Sequence, residues 1–279
     1  MIKIKNLLCH GYFAKELPPP FNSKGYGEVL DRNHLWLPSK FEKSEKSKLA
    51  VHNLARSSGL RRKLSIPNPV TFYNLADFVT GEWNNLVSKT NKSRISCTSP
   101  VVGSERRALI SKHGLDEKPL FAAKLRSKSK YILQADIARF YPSIYTHSIP
   151  WAIHTKSVAK RNYSNDLIGN KLDKLVRNMN DNQTLRIPIG PDISLLIAEL
   201  ILSDVDDKLF HKGIKNGFRY IDDYEFAFTT LSEAETTLGY LQEFLNDYVA
   251  RFMRSFTLFV SRHRLHYTMN LSTKEIIDG

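Results

Sequence analysis

Asp222 and Asp223 stand side by side in FRYIDDYEFAF (218–228), inside a run of aromatic and β-branched residues that otherwise reads as a strand pattern. Adjacent like charges repel, and strand interiors are depleted of Asp, so the pair needs a compensating feature. Two readings are open locally. The aspartates are the tip of a β-hairpin, where Asp is a favoured turn residue, or they are ligands for a divalent cation held on a rigid strand pair. A third carboxylate, Asp136, ends another strand pattern in YILQADIARFYPSI (131–144). If the two strands are neighbours, three carboxylates converge on one edge of a sheet. Oxygen-only ligands select hard cations, Mg2+ or Mn2+. Two such ions about 4 Å apart are the machinery of in-line phosphoryl transfer.

The elements that must position these residues follow from periodicity. In the strand from Tyr131 to Asp136, the odd-numbered side chains point one way and Asp136 the other. Pro142 ends that element, and THSIPWAIH opens a helix with Thr146 or Ser148 as its N-cap. IPIGPDISLLIAELILSDVDDKLF (187–210) predicts a turn and a long helix, with Pro191 in its first turn and an apolar stripe through Ile193, Leu196, Ile197, Leu200 and Ile201. The hairpin at 217–229 comes next. LSEAETTLGYLQEFLNDYV (231–249) predicts a helix capped by Ser232, with Glu235 completing a capping box. A last strand is expected near 267–278. Upstream, GLRRKLSIPNP (59–69) reads as a strand bounded by turns, and VTFYNLADFVTGEW (70–83) as a helix. Residues 1–50 read as loop-rich, and 90–129 as basic and weakly patterned. The plan is α+β: helices covering one face of a small, mainly antiparallel sheet.

Composition narrows the partners. Across 279 residues, 41 Lys and Arg against 28 Asp and Glu leave a formal charge of +13. The stretch 106–130 and KFEKSEKSK are strongly basic, whereas 191–247 is acid-rich. A basic chain is drawn to polyanions by counterion release, so nucleic acid is the first partner to consider. No run of eighteen apolar residues is present, which excludes an apolar membrane-spanning helix. The start carries no signal-peptide pattern. Cys9 and Cys97 have no metal-type spacing, so neither a zinc site nor a disulfide is indicated, and a reducing, cytoplasmic location is expected.

ADIARFYPSI, IPIGPDISLLIAEL and YIDDY, in that order, resemble the successive palm motifs of reverse transcriptases, and GLRRKLSIPNP resembles their fingers motif. The resemblance covers roughly residues 50–279. GYFAKELPPPF and FYPSIYTHSIPWAIH further resemble bacterial defence and abortive-infection members. It implies a right-hand polymerase fold, with an N-terminal extension and fingers over 1–130 and a palm over 131–279. The implied activity is RNA-directed DNA polymerisation with Mg2+ (or Mn2+), in antiviral defence; untemplated or protein-primed DNA synthesis on the same fold, or a nucleic-acid-binding palm without catalysis, are the alternatives. The implied partners are an RNA template or structured non-coding RNA, a DNA product and deoxynucleoside triphosphates, with no membrane.

Carried over residue by residue, Asp136 and Asp222 are the principal metal ligands. Asp223 completes the site, and the backbone carbonyl of Ile137 contributes to a second ion. Tyr141 is a sugar gate or a core aromatic. Arg62, with Arg61 or Lys63, holds the triphosphate. Gly190 allows close approach of the nucleotide, and Ser194 either serves the same helix face or packs as a small residue. Lys274 stands where the family places a proton donor for pyrophosphate, or is a surface lysine. Ile189 departs from the Gln usual before the glycine, which puts a side-chain contact to the nucleotide in doubt. No thumb is expected before Gly279. Residues 252–268 show no helical period and are expected to pack against a missing C-terminal domain, a second copy of the chain, or RNA. His147, His154 and His211 show no partner spacing and are given no role.

Overall fold

The computed structural model describes residues 2–32, 46–55, 61–104, 106–127, 129–249, 253–260 and 263–268. The N-terminal stretch is more helical than its prolines suggest. α1 (Ile4–His10) buries Leu7, Leu8 and Cys9, and α2 (Lys24–Arg32) packs on it. An antiparallel ribbon follows, β1 (Ala50–Ala55) with β2 (Arg61–Ile66). α3 (Pro69–Gly81) begins where the Asn68 side chain accepts the Val70 N–H at 2.9 Å, with Pro69 in the first turn, where no N–H is needed. α4 (Trp83–Thr90) continues it. The basic region also carries elements: β3 (Pro100–Val102), β4 (Leu109–Ser111), a short 3-10 turn and α5 (Lys118–Arg126). α5 is short, and its apolar residues bunch over 120–123 instead of recurring at helical spacing; Phe121, Ala122 and Leu125 cover Phe218 and Tyr220.

From here the chain builds its main sheet. β5 (Tyr131–Ala138) leads into α6 (Phe140–Ser143), α7 (Ser148–His154), α8 (Lys156–Arg161) and α9 (Ile168–Asn178). Pro142 lies inside α6 rather than ending the element, because proline is tolerated in a first helical turn. His147, and not Thr146 or Ser148, occupies the N-cap of α7, and no side chain caps it. The Thr146 and Ser148 hydroxyls are buried without a hydrogen-bond partner. α10 (Ile193–His211) is buried on most of its circumference. It precedes β6 (Gly217–Tyr220) and β7 (Asp223–Phe228), the predicted hairpin. α11 (Leu231–Asn246) has its capping box two residues earlier than expected: Thr230 accepts from Glu233, and Glu233 reaches back.

β8 (Met253–Val260) and β9 (His263–Thr268) complete an antiparallel sheet of five strands in the order β6-β7-β5-β8-β9. β8 pairs with the whole of β5, from Tyr131↔Val260 to Ala138↔Met253. This corrects the expectation that 252–268 awaits a partner: 253–260 is an interior strand of the chain's own sheet. Phe256, Leu258 and Val260 alternate with Ser255 and Thr257, a period of two that a search for helical spacing passes over. Without β8, one side of β5 would present a row of unpaired backbone groups. Of the strand expected near 267–278, the part beyond Thr268 lies outside the described residues.

The sheet has one covered and one open face. Leu133, Ala135, Ile137, Tyr224 and Phe226 are buried in the main core with residues of α10 and α11. Gln134, Asp136, Asp223 and Glu225 share the other face, crossed by α5.

Candidate active site

The register of β5 and β7 pairs Asp136 directly with Asp223. The Ile137 N–H also donates to the Asp222 carbonyl at 3.4 Å, so all three aspartates meet at one end of the strand pair. Between the strands, Ile221 adopts φ +56°, a left-handed conformation that is an outlier for a β-branched residue. Two hydrogen bonds hold it there. The Ile221 N–H donates to Thr98 Oγ1 at 3.0 Å, and Arg219 donates to the Ile221 carbonyl at 2.8 Å.

Arg219 is fully buried and paired at 2.7 Å with both Glu199 and Asp206 of α10. The remaining acceptors are satisfied by hydroxyls. Ser96 and Thr98 donate to Glu199, while Ser93 and Tyr224 donate to Asp206. A buried guanidinium with saturated partners is a rigid post, and the hairpin tip hangs from it. Sequence reading missed the network because its members lie far apart in the chain. The trace in the sequence was Glu199, a carboxylate inside the apolar run ISLLIAELIL of α10.

The three carboxylates differ in setting. Burial first, and then the Asp136 charge, push the Asp222 carboxyl up to about 7. Burial and Asp223 also raise Asp136, against the pull of Lys118. Asp223 holds the Lys118 ammonium of α5 at 2.7 Å. Burial and the Asp222 charge raise the Tyr141 hydroxyl pKa, while Arg62 opposes them. Asp222 and Arg62 therefore each lie within electrostatic reach of Tyr141. Among the described residues, no three His, Cys, Asp or Glu side chains are gathered closely enough to hold a metal as they stand. The donor chemistry nevertheless suits a hard cation: mutual repulsion that lifts Asp222 is what added positive charge relieves.

The other predicted residues divide. On β2, Arg62 and Leu64 turn inward, whereas Arg61 and Lys63 are exposed on the opposite side. Arg62 also meets Glu16 at 3.4 Å. Gly190 has φ +139°, and a Cβ there would strike Ala14 at 2.8 Å, so the close approach it permits is to the chain's own N-terminal segment. The Ser194 hydroxyl donates to the Pro188 carbonyl at 2.6 Å and is buried. Ile189 packs with Leu17 and Leu64 and accepts the Ser65 N–H, tying β2 to the loop before α10. Arg107 donates to the carbonyls of Phe13 and Gly190 and pairs with Asp192, so it pins that loop. Lys274 lies outside the described residues. His147 and His154 do have partners, Asp173 and the Gly169 N–H.

With this geometry in place, the chain can be set beside known proteins. No protein-family model matches the sequence, and no curated protein matches it. Among solved structures, telomerase from Candida albicans, in complex with a TWJ fragment of telomeric RNA, superposes with a TM-score of 0.50 at 10% identity, covering 90% of this chain and 46% of that one. The fold resembles that of telomerase. Apo telomerase from Candida tropicalis gives a TM-score of 0.49 at 10% identity, over 97% of this chain and 54% of that one. This chain thus spans about half the length of the telomerase chains it matches. At such identity the likeness is one of fold, a reverse-transcriptase-like arrangement of mixed α/β structure with small antiparallel sheets. Among the described residues, no helix is long and apolar enough to cross a membrane.

Proposed function

We propose that the chain is the fingers and palm of an RNA-directed DNA polymerase that joins deoxynucleotides by two-metal nucleotidyl transfer. The observation that carries this reading is the register of Asp136 opposite Asp223, with Asp222 at the tip between them. Bound there, Mg2+ or Mn2+ supplies the charge that activates a primer hydroxyl and neutralises the departing pyrophosphate. Asp136 and Asp222 would hold it, with Asp223 and the Ile137 carbonyl completing the shell. Arg62, with its planar donor fork, would grip the triphosphate. Tyr141, beside Asp222, would lie under the sugar and favour its deoxy form. Gly190 and Ser194 would act one step back, by shaping the loop before α10.

An RNA partner is supported by the formal charge of +13 and by the telomeric RNA held by the Candida albicans telomerase of similar fold. A role in bacterial antiviral defence rests on the sequence resemblance alone, and a cytoplasmic location on the spacing of the two cysteines. A palm that binds nucleic acid without catalysis is the second reading. It is favoured by Lys118, whose ammonium already neutralises Asp223.

Purified protein with Mg2+, labelled deoxynucleotides and primed RNA tests both. Incorporation is expected, and Asp222→Ala should abolish it while the fold survives. Incorporation by the variant at saturating Mg2+ would sink the two-metal assignment. A wild-type protein that binds the RNA yet never extends its primer would establish the second reading.

A further inference from the structure

Away from the carboxylates, α7, α8 and α9 enclose a cleft of about 310 Å³. Its chemistry differs from that of the hairpin site, and no residue is shared between them. Tyr145 and Trp151 contribute two rings, with centroids 5.7 Å apart. Tyr163 contributes a third from the chain following α8, and it is 82% exposed. A large aromatic left in water beside a cleft is a ready stacking surface.

At the cleft's polar end, Asp173 is 4% exposed. His147 Nδ1 lies 2.7 Å from one of its oxygens, and Arg177 Nε lies 3.2 Å from both. That occupancy decides between ligand charges. An aromatic cleft with a free carboxylate would suit an organic cation, but here the carboxylate is engaged and the rim is basic. Lys160 lines the rim, whereas Lys156, 4.9 Å over the Trp151 ring, is already paired with Asp247 at 2.5 Å. Flat rings to stack on, with the Lys160 ammonium at their edge, match a nucleotide. The volume is at the small end for ligand sites, enough for one base and its phosphate. Bases inside a duplex present no free face, so the strand must be single.

We infer that this cleft holds one base of a single-stranded nucleic acid, stacked among Tyr145, Trp151 and Tyr163, with its phosphate at Lys160. The site stands without the polymerase reading, since it needs neither metal nor the aspartates.

The experiment is fluorescence anisotropy of labelled octauridylate RNA with the full chain in EDTA, beside octadeoxyuridylate and uridine monophosphate. Tyr163→Ala, on an exposed side chain whose loss spares the core, should weaken strand binding about tenfold, near the lower end of what a stacked base contributes. Tyr163→Phe should restore it to within about twofold. Lys160→Ala should lower the salt slope by about 0.7, one single-strand phosphate. Asp222→Asn should change none of these, which separates failure of the site from failure of the polymerase. Binding by Tyr163→Ala equal to wild type would overturn the site. A monophosphate that binds as tightly as the octamers would overturn the strand as its ligand.

Discussion

Asp222 is the residue on which the proposed chemistry turns, and its surroundings make a prediction about stability. Burial and the Asp136 charge raise its folded pKa to about 7 from an ordinary 3.8. A carboxyl raised on folding binds its proton more tightly in the native state. Its stabilising contribution is therefore full below about pH 4 and lost as pH climbs to about 7. Metal-free protein should lose up to about 4 kcal/mol over that window, less where water reaches the turn. Asp222→Asn should lack the loss. Urea melts at pH 4, 5.5 and 7 measure it, and identical profiles for the two proteins would show that folding does not raise the Asp222 carboxyl. At this scale the sequence singled out Asp222 and Asp223, since adjacent aspartates in a strand pattern demand a reason. It was silent about Lys118, because nothing in the spacing of 118 and 223 hints at a contact of 2.7 Å.

The role proposed for the hairpin depends on a turn that its own sequence disfavours. Ile221 at φ +56° costs on the order of 1–2 kcal/mol, and the compensation comes from another element through Thr98 and Arg219. Thr98→Val keeps the shape but removes the acceptor of the Ile221 N–H and one donor to buried Glu199. It should destabilise by about 1–3 kcal/mol. Hydrogen exchange at the Ile221 amide should accelerate while amides in β5 stay protected. If the proposed polymerase is correct, kcat should fall with KM little changed, because the tip positions metal ligands and not substrate. Unaltered exchange at Ile221 would mean that Arg219 alone holds the turn. Elements with a strong period, α3, β5, α10 and the hairpin, were legible. Those missed or misplaced, α1, α5 and the cap of α7, draw their stability from burial against distant partners, which local pattern does not encode.

For the molecule as a whole, the charge of +13 is a statement about partners, and the fold refines which cations are free to act. Arg126 belongs to the basic run before β5, yet it forms a two-bond pair with buried Glu225 at 2.5 and 2.7 Å. Arg107 is likewise engaged with the loop before α10. Neutralising Lys124, Lys128 and Lys130 together should flatten the salt dependence of polynucleotide binding by about two units of slope, near 0.7 per contact. Adding Arg126→Ala should cost stability and leave the slope where it was. A slope unmoved by the three lysines would make the run an ordinary solvated face.

The sequence by itself determined the alternation that makes β5 and β7 strands, the stripe that makes α10 a core helix, and the order of the aspartates along the chain. These follow from periods of two and of 3.6, which backbone geometry imposes on any buried face. The tertiary structure alone decided which carboxylate faces which charge. Asp223 pairs with Lys118, Asp222 feels the charges of Asp136 and Arg219, and Asp136 feels both Asp223 and Lys118. It also decided that 253–260 closes the sheet instead of waiting for another chain. Such pairings join residues far apart in the chain, such as Lys118 with Asp223 and Tyr131 with Val260, and their energies come from burial and Coulomb attraction at short range. Those quantities depend on distance in space, which spacing along a chain does not carry.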